Sequence, residues 1–237
     1  MPVRALKQHL HSMFGLSRFR QRLVYMGDGA VLDDDHSLRT GEIQVVFLNF
    51  CPASSMQVTA LRDAARSGLT SEVENLLQRP QDPDSVCFDH PTPLFVASEH
   101  GHVEVTRLLL EANADKDKAR NDGFTPLFIA SQEGHMEVAR LLLEANAEKD
   151  KVQQTGVTPL LVAARHGQLA VVRLLLEANG QDKDKARNDG FTPLFIASQE
   201  GQLEVAQLLL EANADKDKAL EDGTTPLFIA ARGQGRE

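Results

Sequence analysis

The stretch "DKDKARNDGFTPLFIASQEG" occurs twice in this chain, at Asp115–Gly134 and at Asp182–Gly201, 67 positions apart. Its kernel "TPLF" begins at Thr92, Thr125, Thr192 and Thr225, and "TPLL" begins at Thr158, so the spacings are 33, 33, 34 and 33. A fainter copy, "TALRDAARSG", starts at Thr59, 33 positions before Thr92. A catalytic constellation is not repeated at a fixed period, whereas a structural unit that leans on its neighbours is. A period of 33 with helix–turn–helix content predicts a solenoid.

The unit at 125–157 shows how. Thr125 followed by Pro126 is a helix start: the Thr oxygen can accept from free N–H groups of the first turn, and Pro at the first helical position lacks an N–H that would be orphaned anyway. Leu127 and Ala130 share a face, and Gly134 tolerates the left-handed backbone of a C-terminal cap. "MEVARLLLEA" predicts a second helix with Val138, Leu141, Leu142 and Ala145 at helical spacing. It stops at Asn146, a residue that also enters the left-handed region. Asn113, Asn179 and Asn213 recur at the same place. "AEKDKVQQTG" then turns back. Two such helices cannot bury their apolar stripe alone, but a stack of them makes one continuous core. The extra residue near Gly180-Gln181, where "ANGQDKDK" replaces "ANADKDK", predicts a bulged loop with both neighbouring helix pairs in register.

"DGFTPLFIASQEGHMEVARLLLEANA" resembles the ankyrin repeat, with its Asp-Gly-x-Thr-Pro-Leu-His opening, Gly-His turn and Leu triplet. The resemblance covers Thr59 to about Arg232. It departs where the family places His after Leu: Phe95, Phe128, Phe195 and Phe228 stand there, and Leu161 in the middle repeat. That His ties backbone groups together. Phe cannot, so apolar packing must replace the tie.

The expected fold is therefore mainly α, an ankyrin-repeat solenoid preceded by a small, incomplete α+β ubiquitin-like segment. The organisation reads as an N-terminal segment 1–50, a linker 51–58 and an array 59–237. The array divides into an N-capping repeat 59–91, repeats 92–124, 125–157, 158–191 and 192–224, and a truncated repeat 225–237. Arg62, Asp63 and Arg66 suit a face in water at the first unit. "TPLFIAARGQGRE" starts a helix with no second helix behind it. This leaves the Leu208–Leu210 side poorly covered and predicts an array cut short.

Residues 1–50 fall outside the period. "PVRALKQHLHSMFG" has Val3, Leu6, Leu10 and Met13 at helical spacing, and "RLVYM" and "IQVVFLNF" read as strands. The helix followed by Gly15-Leu16, "QRLVYMG" and "LDDDHSL" resembles ubiquitin from its helix onward. The opening β-hairpin of that family and its Gly-Gly terminus are absent from the quoted segment. The resemblance implies that Val24 and Val46 belong to an apolar recognition patch. Without the hairpin the sheet is left partly bare, which is a liability.

Net charge is −9 in a chain of 237 residues, and residues 1–50 balance at +1, so the remainder carries −10. An acidic body is a poor match for a phosphate backbone, and the expected partner is a neutral or basic protein. Cys51 and Cys87 lack CxxC spacing and read as reduced thiols of an intracellular protein, in cytoplasm or nucleus. No apolar run approaches the length that spans a bilayer, and the N-terminus does not read as a secretory signal.

Chemistry is sparse. No phosphate-loop or HExxH pattern occurs, and Gly27-Asp28-Gly29 lacks the third glycine of a dinucleotide fold. His100 and His102 flank Gly101, where the ankyrin pattern places a structural His. "DKDK" lacks the offsets of a calcium loop and reads as a solvated strip. Arg18, Arg20 and Arg22 read as a solvated basic edge. No cofactor, metal or catalytic group is expected.

What remains is a binding surface. The ankyrin resemblance implies that partners meet the hairpin tips and the concave ends of the first helices. The tips are Arg120, Asn121, Asp122 and Phe124, then Gln153, Gln154, Thr155 and Val157. They continue with Arg187, Asn188, Asp189 and Phe191, then Leu220, Glu221, Asp222 and Thr224. The helix-end positions are Glu99 and His100, Gln132 and Glu133, Arg165 and His166, and Gln199 and Glu200. Phe124 and Phe191 are either anchors for a partner or rings laid against a neighbouring hairpin. The reading is a non-enzymatic protein-binding scaffold. The alternative is an adaptor of the ubiquitin–proteasome system that uses the N-terminal segment.

Overall fold

The structure is a computed structural model that describes residues 2–15, 17–25, 30–32, 34, 43–47, 54–79, 81–86, 90–178 and 182–233. The two cysteines, the Gly27-Asp28-Gly29 stretch, Asn179 and the inserted residue near Gly180-Gln181 lie outside them. From Ser55 onward helices alternate in pairs: α2 (Ser55–Arg66) with α3 (Thr70–Leu77), α4 (Pro93–Glu99) with α5 (Val103–Glu111), α6 (Pro126–Glu133) with α7 (Met136–Glu144). The series continues with α8 (Pro159–Arg165) and α9 (Leu169–Glu177), then α10 (Pro193–Gln199) and α11 (Leu203–Glu211), and closes on α12 (Pro226–Gly233). Each first helix packs on the next first helix, and each second helix on the next second helix. This is the expected solenoid.

The helix boundaries follow the local chemistry. Thr92, Thr125, Thr158 and Thr192 each accept from the backbone N–H three residues on, with Pro next in line. Asn113, Asn146 and Asn213 have φ near +60° and stop the second helices. Leu94, Leu127, Leu160 and Leu194 lie in one buried cluster that runs from Leu61 to Ala214. Phe95, Phe128, Leu161 and Phe195 are buried as well. Apolar packing thus occupies the place of the family's histidine tie.

Three expectations need correction. The stretch read as a linker is helical from Ser55, because Ser54 and Gln57 form a capping box: the Ser54 Oγ accepts from the Gln57 N–H (3.3 Å) and the Ser54 N–H donates to the Gln57 Oε1 (2.8 Å). At the far end Leu210 is exposed and Leu208 half-buried, as expected, but Leu209 is buried, and the apolar surface in water extends to Leu203, Leu227 and Phe228. The third correction concerns the N-terminal segment.

That segment holds α1 (Val3–Phe14), a 3₁₀ turn (Arg18–Arg20), and strands β1 (Gln21–Tyr25), β2 (Val31–Leu32) and β3 (Ile43–Phe47) in an antiparallel sheet ordered β2-β1-β3. Val3, Leu23 and Leu32 are buried together, with Leu6, Leu10, Ile43 and Val45 against them. Met13, expected on the same stripe, is exposed. Lys7 fills the helical position between Val3 and Leu10 and reaches Asp34 at 2.6 Å. A helix followed by a small sheet agrees with the β-grasp expectation, but so small a sheet does not assign the family.

Arg18 does not belong to a solvated edge. It is 2% exposed, stacks 4.1 Å above the Phe19 ring and meets three carboxylates. Nε donates to Glu111 at 2.9 Å, Nη2 to Glu74 at 3.0 Å, and Nη1 to Asp34. Burial alone would lower the affinity of Arg18 for its proton. The hydrogen bonds from Glu111 and Glu74 and the surrounding charges outweigh it, so its pKa is raised. Arg4 pairs with Glu74 at 2.7 Å, Arg22 donates to the Gln78 carbonyl, and Phe19 joins the core cluster of the array. The segment therefore docks on α3 and α5. The site is marked in the repeats. At the position of Glu74 the following units carry Arg107, Arg140 and Arg173, so the charge is reversed only where Arg4 and Arg18 land.

Candidate functional site

The hairpin tips are closed by short backbone bonds. Arg120 N–H donates to the Phe124 carbonyl at 2.9 Å, Arg187 N–H to Phe191 at 2.9 Å, Gln153 N–H to Val157 at 3.3 Å, and Leu220 N–H to Thr224 at 2.9 Å. Successive tips are tied to one another. Gln154 Nε2 donates to the Asn121 carbonyl, and Asn188 Nδ2 to the Gln154 carbonyl. Asn121, Gln154, Thr155, Asn188, Asp189, Glu221 and Asp222 stand exposed at the crest. Arg120, Asp122, Gln153, Val157, Arg187, Leu220 and Thr224 are half-buried beneath it.

The two phenylalanines pack on the first helix of the repeat that follows them. Phe124 stacks on Phe128 with centroids 4.5 Å apart, and Phe191 meets Phe195 edge-on at 4.9 Å. Arg120 lies 5.4 Å from the Phe124 centroid and 5.2 Å from that of Phe95. Arg187 lies 4.8 Å from Phe191. Both rings stay half-buried. They rest on a first helix and stay partly open to solvent. Each guanidinium is fixed by a nearby carboxylate: Arg120 by Asp122, and Arg187 by Asp189 at 2.5 Å. The hydrogen bond from Arg187 holds the Asp189 carboxyl below the usual range. At Asp122 burial would raise it, but the Arg120 hydrogen bond and the Phe124 N–H outweigh that.

The first-helix ends form a second row. His100, Glu133, Arg165, His166, Gln199 and Glu200 are exposed, while Glu99 and Gln132 are half-buried. His100 Nδ1 and His166 Nδ1 each lie 3.0 Å from the carbonyl four residues earlier, on Val96 and Val162. Arg165 and Glu200 approach to 3.8 Å across two repeats. The candidate positions of the array are therefore all solvent-accessible, in two parallel rows. Val24 and Val46 lie elsewhere, together on the face of the small sheet opposite the Leu23 core, and both are half-buried.

Two further ladders hold these rows in register, and sequence reasoning misassigned one of them. The "DKDK" strip is not merely solvated. Asp84, Asp117 and Asp184 accept from the backbone N–H of Asp115, Glu148 and Asp215, each at 2.8 Å. Lys118, Lys151, Lys185 and Lys218 reach back to backbone carbonyls of the preceding repeat. Alternation of acid and base is the readable signal: the acid serves the following unit and the base the preceding one. The second ladder lies at the inter-helix turns. His102 Nε2 is 2.9 Å from the Arg66 carbonyl and His135 Nε2 is 3.1 Å from Glu99, so each Nε2 carries the proton. Gln168 and Gln202 make the same bond in the next two units. The structural reading of His102 holds.

Among the described residues no three His, Cys, Asp or Glu side chains converge as a metal site would require. No helix among them is long and apolar enough to cross a membrane. The sequence profile of the ankyrin repeats, a three-copy pattern, matches residues 61–153 and again 145–219. No curated protein matches the chain.

Proposed function

The chain belongs to the ankyrin-repeat family, and from that premise we propose that it is a non-enzymatic scaffold that binds a protein along its hairpin tips and first-helix ends. One observation carries the reading. The two rows are open to solvent, while the backbone beneath them is bonded from repeat to repeat by three separate ladders. Such a surface binds without paying to order itself. The net charge of −10 beyond residue 50 favours a neutral or basic protein partner, and two cysteines without CxxC spacing favour a place inside the cell, in cytoplasm or nucleus. The test is affinity capture with the full chain. Asn121→Arg combined with Asn188→Arg should abolish capture, and Arg107→Ala with Arg140→Ala on the opposite helices should leave it intact. The reverse pattern would move the site to the second-helix face.

A second reading rests on the small sheet. Val24, Val31 and Val46 share its open face with Arg22 and Gln44. The ubiquitin-like resemblance makes this a docking face for a ubiquitin receptor, with the array holding a client. Val24→Asp should then abolish receptor binding while leaving capture by the array unchanged. Equal loss of both would point to misfolding of the segment instead.

A further inference from the structure

The N-terminal segment and the array have separate apolar cores. Val3, Leu23 and Leu32 form one, and the cluster running through the repeats forms the other. Among the described residues of the segment, only Phe19 enters the second cluster. The described polar contacts across the boundary use charged or amide groups, led by Arg4 and Arg18 on Glu74 and by Arg18 on Glu111. Parts joined by a polar, lightly anchored interface move relative to one another.

The charges also separate cleanly. On the segment, Asp34 accepts from both Lys7 and Arg18, and the Arg18 guanidinium lies 4.1 Å over the Phe19 ring. The cation thus keeps partners of its own when the segment lifts. On the array, the Glu74 and Glu111 side chains are 31% and 32% exposed even when docked, so each can turn to water. Neither side is left with a buried, unpaired charge, the state that makes a buried pair hard to break.

What the segment covers is a site for a cation. Glu111 recurs in the later units as Glu144, Glu177 and Glu211, but at the position of Glu74 those grooves carry Arg107, Arg140 and Arg173. This pair of carboxylates therefore occurs only between α3 and α5. A planar guanidinium bonds both at once, through Nε to Glu111 and Nη2 to Glu74, a fork that a lysine lacks. We propose that this face of α3 and α5 is a second protein-docking site, away from the tips and first-helix ends, and that its ligand is an Arg–aromatic turn of a partner. The chain's own Arg18–Phe19 is the competitor that keeps the site closed until the partner displaces it.

The test is fluorescence anisotropy of the full chain with a labelled peptide of residues 17–22, Ser-Arg-Phe-Arg-Gln-Arg. Apparent affinity scales with the fraction of chains that are open, so the peptide should bind the Arg18→Met chain up to about 100-fold more tightly than the wild type. The same peptide with Arg18→Lys keeps its charge but loses the fork, and should bind the Arg18→Met chain about tenfold more weakly. Adding Glu74→Arg to that chain should abolish binding. Arg at this position stacks in the next three repeats, so the array keeps its fold. On the wild type, saturating peptide should quicken amide exchange in α1 and the Arg18–Arg20 turn. Four results would each overturn the proposal: equal affinity for the wild type and the Arg18→Met chain, no binding to the Arg18→Met chain, binding that survives Glu74→Arg, or exchange in α1 that the peptide leaves unmoved.

Discussion

Replacing Arg18 by Met keeps volume and apolar contact while removing the charge that three carboxylates share. The wild-type guanidinium is 2% exposed, and its partners are unequal: the Asp34 side chain is 10% exposed, whereas Glu74 and Glu111 keep 31% and 32%. Breaking a buried pair costs about 3–5 kcal/mol. The lower end applies here, because both glutamates can turn to water and Asp34 retains Lys7. A loss of about 3 kcal/mol raises the open population of the docked segment roughly 100-fold. Amide exchange at pH 7 should quicken by that factor in α1 and the Arg18–Arg20 turn, with α6 to α9 unchanged. Acid gives a second handle. Burial would raise the Asp34 carboxyl, but the hydrogen bond and charge of Lys7, and then Arg18, hold it below the usual range. Its contribution is complete above the unfolded carboxylate value of about 4 and is lost as pH falls through the lower folded value. Wild-type docking should therefore loosen only below about pH 4, whereas the Met variant should be loose already at neutral pH. Unchanged exchange in α1, or equal loss of protection along the whole array, would refute the latch.

Gly101→Ala should cost about 1–2 kcal/mol for a side chain at φ +72°. It should also displace His135, whose Nδ1 would lie 2.6 Å from the new Cβ; thermal unfolding by circular dichroism measures this. Asp117→Ala removes the acceptor of the Glu148 N–H and should cost about 1 kcal/mol in urea unfolding, with no change in the slope. Hydrogen exchange should be slowest in α6 to α9 and fastest after Thr192, because Leu203, Leu210, Leu227 and Phe228 have water where the earlier repeats have a neighbour. Uniform protection along the array would contradict that gradient.

The period and the Thr-Pro, Gly and Asn punctuation made the solenoid legible, because each acts within a few residues of itself. The ladders were less legible because their partners lie 31 to 37 positions away. A Lys in "DKDK" looks solvated until the carbonyl of the preceding repeat is placed beside it. The start of α2 could have been read from Ser54 and Gln57, a local signal hidden by the polar composition around it. The docking of the N-terminal segment lay deeper. Arg18, Arg20 and Arg22 look alike in sequence, and only the fold separates the buried one. Yet a trace was present on the other side of the contact. A repeat array supplies its own control, since each position is seen five times against nearly the same background. Glu74 where the next three units carry Arg107, Arg140 and Arg173 is a break in that pattern, and stacking does not explain it, because the position faces away from the neighbouring repeat's core. A charge reversed at one unit of a solenoid marks a contact that only that unit makes. By the same comparison, the tip positions that differ between units, Gln153, Gln154 and Val157 against Arg120, Asn121 and Phe124, are where a partner can tell one repeat from the next.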